Sequence, residues 1–240
     1  MMNWKTATSF PLILGHRGAS ADAPENTIAA FGLALAQGAD GVELDVQLSA
    51  DGQLVVFHDD DVARMTSGQG KVTDLTLAQL KQLTITGGQT IPTLDEVLEQ
   101  FGRQLLYNIE VKDFGWRDKG TETAVINTIR AHRLEKQILI SSFNPLALRR
   151  LRAALPLDIP LALIRGGGWL SYGYLLADGA ADHPHYSLVD NTYMAWAKKR
   201  GYLVNVWTVD APEEARRLMA LGVNGLITNK PGFIRQQLEQ

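Results

Sequence analysis

Short apolar runs alternate with longer segments whose apolar residues recur every three or four positions, and the alternation extends over the whole chain. Leu12-Ile13-Leu14-Gly15 reads as a brief buried strand. Pro24-Glu25-Asn26-Thr27 then reads as a helix start with Asn26 as N-cap, and Ile28, Phe31, Leu35 and Ala36 keep helical spacing up to Gly38. Gly41 to Val46 is a second strand. Further strands are predicted at Leu105 to Val111, Gln137 to Ser141, Ile159 to Ile164, Tyr186 to Val189, Tyr202 to Trp207 and Asn224 to Ile227. Helical patterns at Thr93 to Phe101, Thr121 to His132, Pro145 to Ala154, Tyr193 to Arg200, Pro212 to Leu221 and Pro231 to Leu238 separate most of them.

Alternating strands and helices predict parallel βα units. Eight units in 240 residues fit an α/β fold of the (β/α)8 TIM-barrel type, with a doubly wound open sheet as the alternative. Gly38-Ala39-Asp40-Gly41-Val42 echoes Gly222-Val223-Asn224-Gly225-Leu226, each a helix ending on glycine and feeding a strand. Residues 1–240 then make one barrel domain.

Leu54-Val55-Val56-Phe57-His58 is a strand beyond that count. It follows Asp51-Gly52, a two-residue hairpin signal. With that pair as the loop, the hairpin is antiparallel and His58 lies opposite Asp45. Residues 59–92 are irregular, with a short helix predicted within Leu75 to Leu83, and read as a small insertion over the active face. Arg165-Gly166-Gly167-Gly168 lacks the strand, glycine loop and lysine order of a P-loop and reads as a plain loop.

Composition narrows the chemistry. Hydrophobic residues at 45% and charged residues at 20% are ordinary for a globular protein. A net charge of −3 gives no footprint for nucleic acid. With no cysteine, any metal must be held by oxygen or imidazole. The N-terminal apolar run, Phe10 to Leu14, is too short for a signal segment, and no stretch is long and apolar enough for a membrane span. A cytoplasmic protein is the expectation; oligomeric state is not readable.

Charged residues at the ends of apolar strands carry the functional signal, because strand C-termini form the active face of such barrels. His16-Arg17 ends the first strand, Glu43 and Asp45 share one side of the second, Glu110 and Lys112 repeat this on the next, and His58 ends the hairpin strand. Three unpaired carboxylates inside a barrel would repel and be costly to desolvate. A divalent cation removes both problems, and all-oxygen ligation favours Mg²⁺ or Ca²⁺. Arg17 and Lys112 beside a metal suit a phosphate ester, whose charge spreads over its non-bridging oxygens. His16 and His58 can divide acid and base work across a P–O bond. Taken singly, the carboxylate pair also fits a solvated strand face, each histidine a structural role, and Glu110 with Lys112 an ion pair.

Taken in order, His16-Arg17-Gly18-Ala19, Pro24-Glu25-Asn26-Thr27, Glu43-Leu44-Asp45-Val46, Val55-Val56-Phe57-His58-Asp59, Ile109-Glu110-Val111-Lys112, Val206-Trp207-Thr208-Val209 and the stretch Gly222 to Pro231 resemble the glycerophosphodiester phosphodiesterase family. Ile91-Pro92-Thr93-Leu94 and Ser142-Phe143 belong to the same likeness. The resemblance implies a (β/α)8 barrel that hydrolyses small-molecule glycerophosphodiesters to glycerol 3-phosphate and an alcohol. It implies His16 and His58 as the acid/base pair, Glu43, Asp45 and Glu110 as ligands of one Mg²⁺ or Ca²⁺, and Arg17 and Lys112 on the phosphate. It also puts Trp207, and less strongly Phe143, against the glycerol carbons; a core aromatic is the alternative for Trp207. Asn224 and Asn229 stand where the family more often has Asp and read as turn residues; Met65 replaces its usual Thr. The other readings are a lysophospholipase D-like activity entered over an apolar ring of Trp169, Leu170, Tyr172, Tyr174, Leu175 and Leu176, and a non-catalytic phosphate-ester-binding barrel.

Overall fold

The structure, a computed structural model, describes Trp4 and residues 10–112, 115–156, 158–166 and 179–240. Among the described residues the nine strands are β1 (Leu12–His16), β2 (Gly41–Leu48), β3 (Leu54–Val56), β4 (Leu106–Val111), β5 (Ile138–Ser142), β6 (Leu161–Arg165), β7 (Ala181–Pro184), β8 (Leu203–Val206) and β9 (Gly225–Thr228). All pair in parallel except β3, and β1 pairs with both β2 and β9, which closes eight of them into a barrel. The α-helices are α1 (Ile28–Ala36), α2 (Leu77–Gln82), α3 (Leu94–Phe101), α4 (Thr121–His132), α5 (Pro145–Ala154), α6 (Asn191–Lys199), α7 (Pro212–Leu221) and α8 (Pro231–Glu239). None of the helices among the described residues is long and apolar enough to cross a membrane.

Local chemistry accounts for most boundaries. Thr93 and Glu96 form a capping box at α3, and proline occupies the first turn of α5, α7 and α8, where its missing N–H costs nothing. The glycine echo is structural: Gly38 and Gly222 both take positive φ, near 80°. In each repeat the side chain two residues later accepts the backbone N–H of the second residue of a neighbouring strand, Asp40 from Ile13 and Asn224 from Val204, both at 2.8 Å. Asn224 is thus a turn residue, as its sequence context indicates.

Gly41 opens β2 beside Leu106 of β4. A Cβ there would sit 2.4 Å from the Leu106 carbonyl oxygen and 2.8 Å from its Cβ. Backbone cannot yield as a side-chain tip can, so Gly41→Ala is expected to destabilise the protein by about 2–3 kcal/mol, read as a fall in the midpoint of denaturant unfolding.

Three sequence expectations are corrected. The seventh strand is Ala181–Pro184, and Tyr186–Leu188 is a short 3₁₀ turn. Asp182 and His183 hid the strand, because both are polar and both are buried; Arg165 and Tyr193 hold Asp182, and Asn205 reaches His183. Asn26 does not cap α1: Thr27 does, accepting from the Ala30 N–H, while Asn26 takes φ 56°. The hairpin slips by one residue. Ser49 pairs with Gln53 around a three-residue loop, Ala50-Asp51-Gly52, with Gly52 at φ 77°. Val46 therefore faces Val56, and Phe57, not His58, lies opposite Asp45, donating its N–H to the Asp45 carbonyl at 3.0 Å.

Residues 59–92 carry α2 and bury Val62, Val72, Leu80, Ile85 and Ile91 against Val55 and Phe57 of the hairpin. Gly167, Gly168 and the apolar ring from Trp169 to Leu176 lie outside the described residues.

Candidate active site

Parallel register carries the charged strand ends to one mouth of the barrel. His16 pairs with Glu43, Glu43 with Asn108, and Asp45 with Glu110. One oxygen each from Glu43, Asp45 and Glu110 lies within 4.8 Å of the others. All three residues are buried. Burial, followed by repulsion from Asp45 and Glu110, holds the Glu43 carboxyl well above its ordinary range. Burial and Asp45 likewise push Glu110 up to about 7.

Two cations face this cluster. Arg17 Nε is 3.4 Å from Asp45 Oδ2, and Lys112 Nζ is 3.4 Å from Glu110 and 3.7 Å from Asp45. Three carboxylates against two cations leave one negative charge. A divalent ion reverses it to one positive charge, the complement of a phosphodiester monoanion. The oxygen spacing also suits ligands around one hard cation. The cluster therefore fits Mg²⁺ or Ca²⁺ in chemistry and in geometry.

A cavity of about 100 Å³ adjoins the carboxylates and is lined by the polar and charged His16, Arg17, Glu43, His58 and Glu110 together with the apolar Phe143, Ile164, Trp207 and Ile227. Phe143 and Trp207 meet edge to face, centroids 5.8 Å apart, and the Trp207 indole N–H donates to the His183 carbonyl at 2.8 Å. Deeper in the barrel, Asn108 and His183 complete the lining. Burial pushes the His183 ring down to about 3, so it is neutral near pH 7. Lys112 lines a neighbouring groove with Gln47 and Ser49.

His16 and His58 are held differently. His16 Nδ1 contacts Asn229 Oδ1 at 2.7 Å, and His16 Nε2 lies 4.0 Å from Glu43. Burial and the adjacent Arg17 lower its pKa from 6.5. His58 Nδ1 contacts Asp59 Oδ1 at 2.6 Å. Asp59 is also gripped by Arg64, and those contacts draw its carboxyl down to about 2. Gln47 donates to the carbonyls of Phe57, His58 and Asp59 at 2.9, 3.2 and 2.8 Å, which sets the turn that carries His58.

His16, Arg17, Glu43, Asp45, His58 and Glu110 meet at this mouth as the sequence predicts, whereas Lys112, expected on the phosphate, reaches Asp45 and Glu110 but lines the neighbouring groove and not this cavity. The structure adds supports that sequence reasoning missed. Asn26 donates to Asp45 Oδ2 at 2.9 Å, and Glu25 binds Arg17 at 2.9 Å and Arg64 at 2.6 Å. Arg64 thus links the residue behind Arg17 to the residue behind His58, tying residues 59–92 to the site. Asn229 is corrected from turn residue to neighbour of His16. Pro24-Glu25-Asn26-Thr27 was visible as a helix start; a glutamate and an asparagine ahead of the Thr27 cap were the available signal for a second task.

Comparison with known proteins agrees with this geometry. Residues 16–233 match the model of the glycerophosphoryl diester phosphodiesterase family. A glycerophosphodiester phosphodiesterase of Caldanaerobacter subterraneus subsp. tengcongensis is 39% identical over 92% of this chain and 94% of its own. A glycerophosphodiester phosphodiesterase of Bacillus altitudinis is 33% identical over 91% of this chain and 94% of its own. The structure of an Oleispira antarctica phosphodiesterase in complex with its product sn-glycerol-3-phosphate superposes with a TM-score of 0.86 at 32% identity, covering 96% of this chain and 98% of that one. Barrel, charged mouth and relatives agree along nearly the full length, and the chain belongs to the glycerophosphoryl diester phosphodiesterase family of enzymes.

Proposed function

We propose that the chain hydrolyses glycerophosphodiesters to glycerol 3-phosphate and an alcohol, using a divalent cation at Glu43, Asp45 and Glu110 and the pair His16 and His58 as base and acid. The observation that carries this reading is the single cavity onto which both histidines, Arg17 and two of the three carboxylates open. A binder of phosphate esters has no use for two proton carriers flanking one anion site.

A divalent cation held by Glu43, Asp45 and Glu110 would supply positive charge to the phosphate. Arg17 meets a non-bridging oxygen of that phosphate, its guanidinium aimed by Glu25 and Asp45. Lys112, beside Glu110 and Asp45, keeps the carboxylate cluster from accumulating negative charge as the diester arrives. His16, kept neutral by burial and by Arg17, takes the proton of the attacking water. His58, held at Nδ1 by the Asp59 carboxylate, gives a proton to the leaving oxygen as the P–O bond breaks. Trp207 and Phe143 offer the apolar wall on which the three glycerol carbons pack.

A coupled assay for glycerol 3-phosphate tests the reading, run on glycerophosphocholine and glycerophosphoethanolamine with Mg²⁺ or Ca²⁺. Release of glycerol 3-phosphate is expected from both. Tight binding without release would point to a non-catalytic barrel, and preference for lysophosphatidylcholine to the lysophospholipase D-like activity. Trp207→Ala is expected to raise KM about tenfold with kcat little changed, since lost burial of a three-carbon unit is worth roughly 1–2 kcal/mol of uniform binding.

A further inference from the structure

We infer that Asp210 and Asn229 are a positioning relay that holds the proton of His16 on Nδ1, leaving Nε2 as its reacting nitrogen. The inference rests on the reading of His16 as a proton carrier and specifies which atom does the work.

The relay begins in the barrel register. Gly15 pairs with Thr228, so the residues that follow them, His16 and Asn229, emerge side by side. Asp210, between β8 and α7, reaches the same corner. Its Oδ1 accepts from Thr228 Oγ1 at 2.9 Å and from the Asn229 backbone N–H at 2.8 Å, and its Oδ2 accepts from Asn229 Nδ2 at 2.6 Å. A carboxylate only accepts, so the Asn229 atom facing it must be the amide nitrogen. The Asn229 side chain is therefore not free to turn over, and its oxygen must point the other way.

That oxygen lies 2.7 Å from His16 Nδ1, and the Ser20 hydroxyl donates to it, also at 2.7 Å. An amide oxygen cannot donate. His16 Nδ1 must then carry the hydrogen, and the lone pair of the neutral ring is on Nε2, the nitrogen 4.0 Å from Glu43. In the opposite tautomer two lone pairs would face each other at hydrogen-bond distance and the cavity would meet an N–H in place of a base. A ring left free in water has no such constraint. Asp210 touches neither ligand nor reacting atom; it acts through Asn229, and Asn229 through His16.

The test reads the tautomer directly. The chain has five histidines, so ¹⁵N-histidine labelling gives five ring spin systems, with His16 assigned by its loss in His16→Gln. At pH 8, with and without Mg²⁺, the wild-type His16 ring is expected as the Nδ1–H form; an Nε2–H ring would overturn the proposal without any variant. Asn229→Leu, which keeps the volume and removes the acceptor, is expected to admit the other tautomer and to lower kcat about 30- to 100-fold with KM within threefold. Asn229→Asp combined with Asp210→Asn keeps one donor facing one acceptor at that corner and returns an acceptor to His16 Nδ1, and is expected to recover at least a third of wild-type kcat. A folded Asn229→Leu protein with wild-type kcat or an unchanged Nδ1–H ring would overturn it, as would failure of the double variant to recover activity. If His16→Gln itself stayed active, the proton-carrier reading would fail, and the spectra would still decide the relay.

Discussion

Replacing His16 or His58 with alanine is expected to lower kcat by roughly 10²–10⁴-fold, the range for a positioned general acid or base. Each ring works on a different proton of the same displacement, so losing either leaves the step without a donor or without an acceptor. The double variant is expected to fall well short of the product of the two losses, since groups that act as a unit are not additive. Both side chains are partly exposed, 20% for His16 and 31% for His58, so truncation opens no core cavity and the fold should survive. The measurement is kcat and KM from glycerol 3-phosphate release, alongside a thermal unfolding scan to exclude misfolding. Turnover within threefold of wild type in either variant would remove that residue from the mechanism. The pH profile carries a sign as well. A base must be neutral to act, so activity is lost as pH falls through the His16 pKa. Burial and Arg17 lower that pKa, and the acid limb should lie below 6.5.

Chelation is expected to be equally severe. Removing divalent ions should cut turnover by roughly 10³-fold or more, because several kcal/mol of charge stabilisation on the phosphate goes with them, and added Mg²⁺ or Ca²⁺ should restore it. Asp45→Asn should show the same loss without restoration, since Asp45 lies between Arg17, Lys112 and Asn26 and orients the cluster. Activity untouched by exhaustive chelation would end the metal assignment.

The same carboxylates make stability depend on pH in a direction that reveals the ion. Glu110 is raised from 4.5 to about 7 in the folded chain, and Glu43 is raised with it. Between those pH values the folded state holds protons that the unfolded state has released. The metal-free protein is therefore most stable below about 4.5 with respect to these groups, and it loses that contribution as pH rises through about 7. A saturating divalent ion should raise the unfolding temperature most at the upper end of this window, because it takes the place of the protons. An unfolding temperature with the same pH slope in chelator and in Mg²⁺ or Ca²⁺ would contradict a cation at Glu43, Asp45 and Glu110.

Much of this site was legible along the chain. Glu43 and Asp45 at alternate positions of one strand, and Glu110 on the next barrel strand, are a period-two pattern, and parallel pairing in register puts such strand ends at one mouth. His16 and His58 were placed by the apolar runs that end on them. The loop at Asp51-Gly52 was legible as a turn but not in its length: Gly52 closes a three-residue loop, and that shifts the pairing by one.

The supports behind those residues depend on contacts that no local pattern contains. Arg64 reaches back 39 positions to Glu25, and Asn229 meets His16 across 213. Asp182 and His183 carry no strand signal, because burying them alone would be costly; Arg165, Tyr193 and Asn205 offset that cost from neighbouring elements. Apolar periodicity records only which face of an element leaves water, and that is enough to set seven of the eight barrel strands and the charged ends they bring together. A buried polar group is stable only with a partner of matching donor and acceptor, and which partner arrives is settled when the closed barrel brings β9 back beside β1.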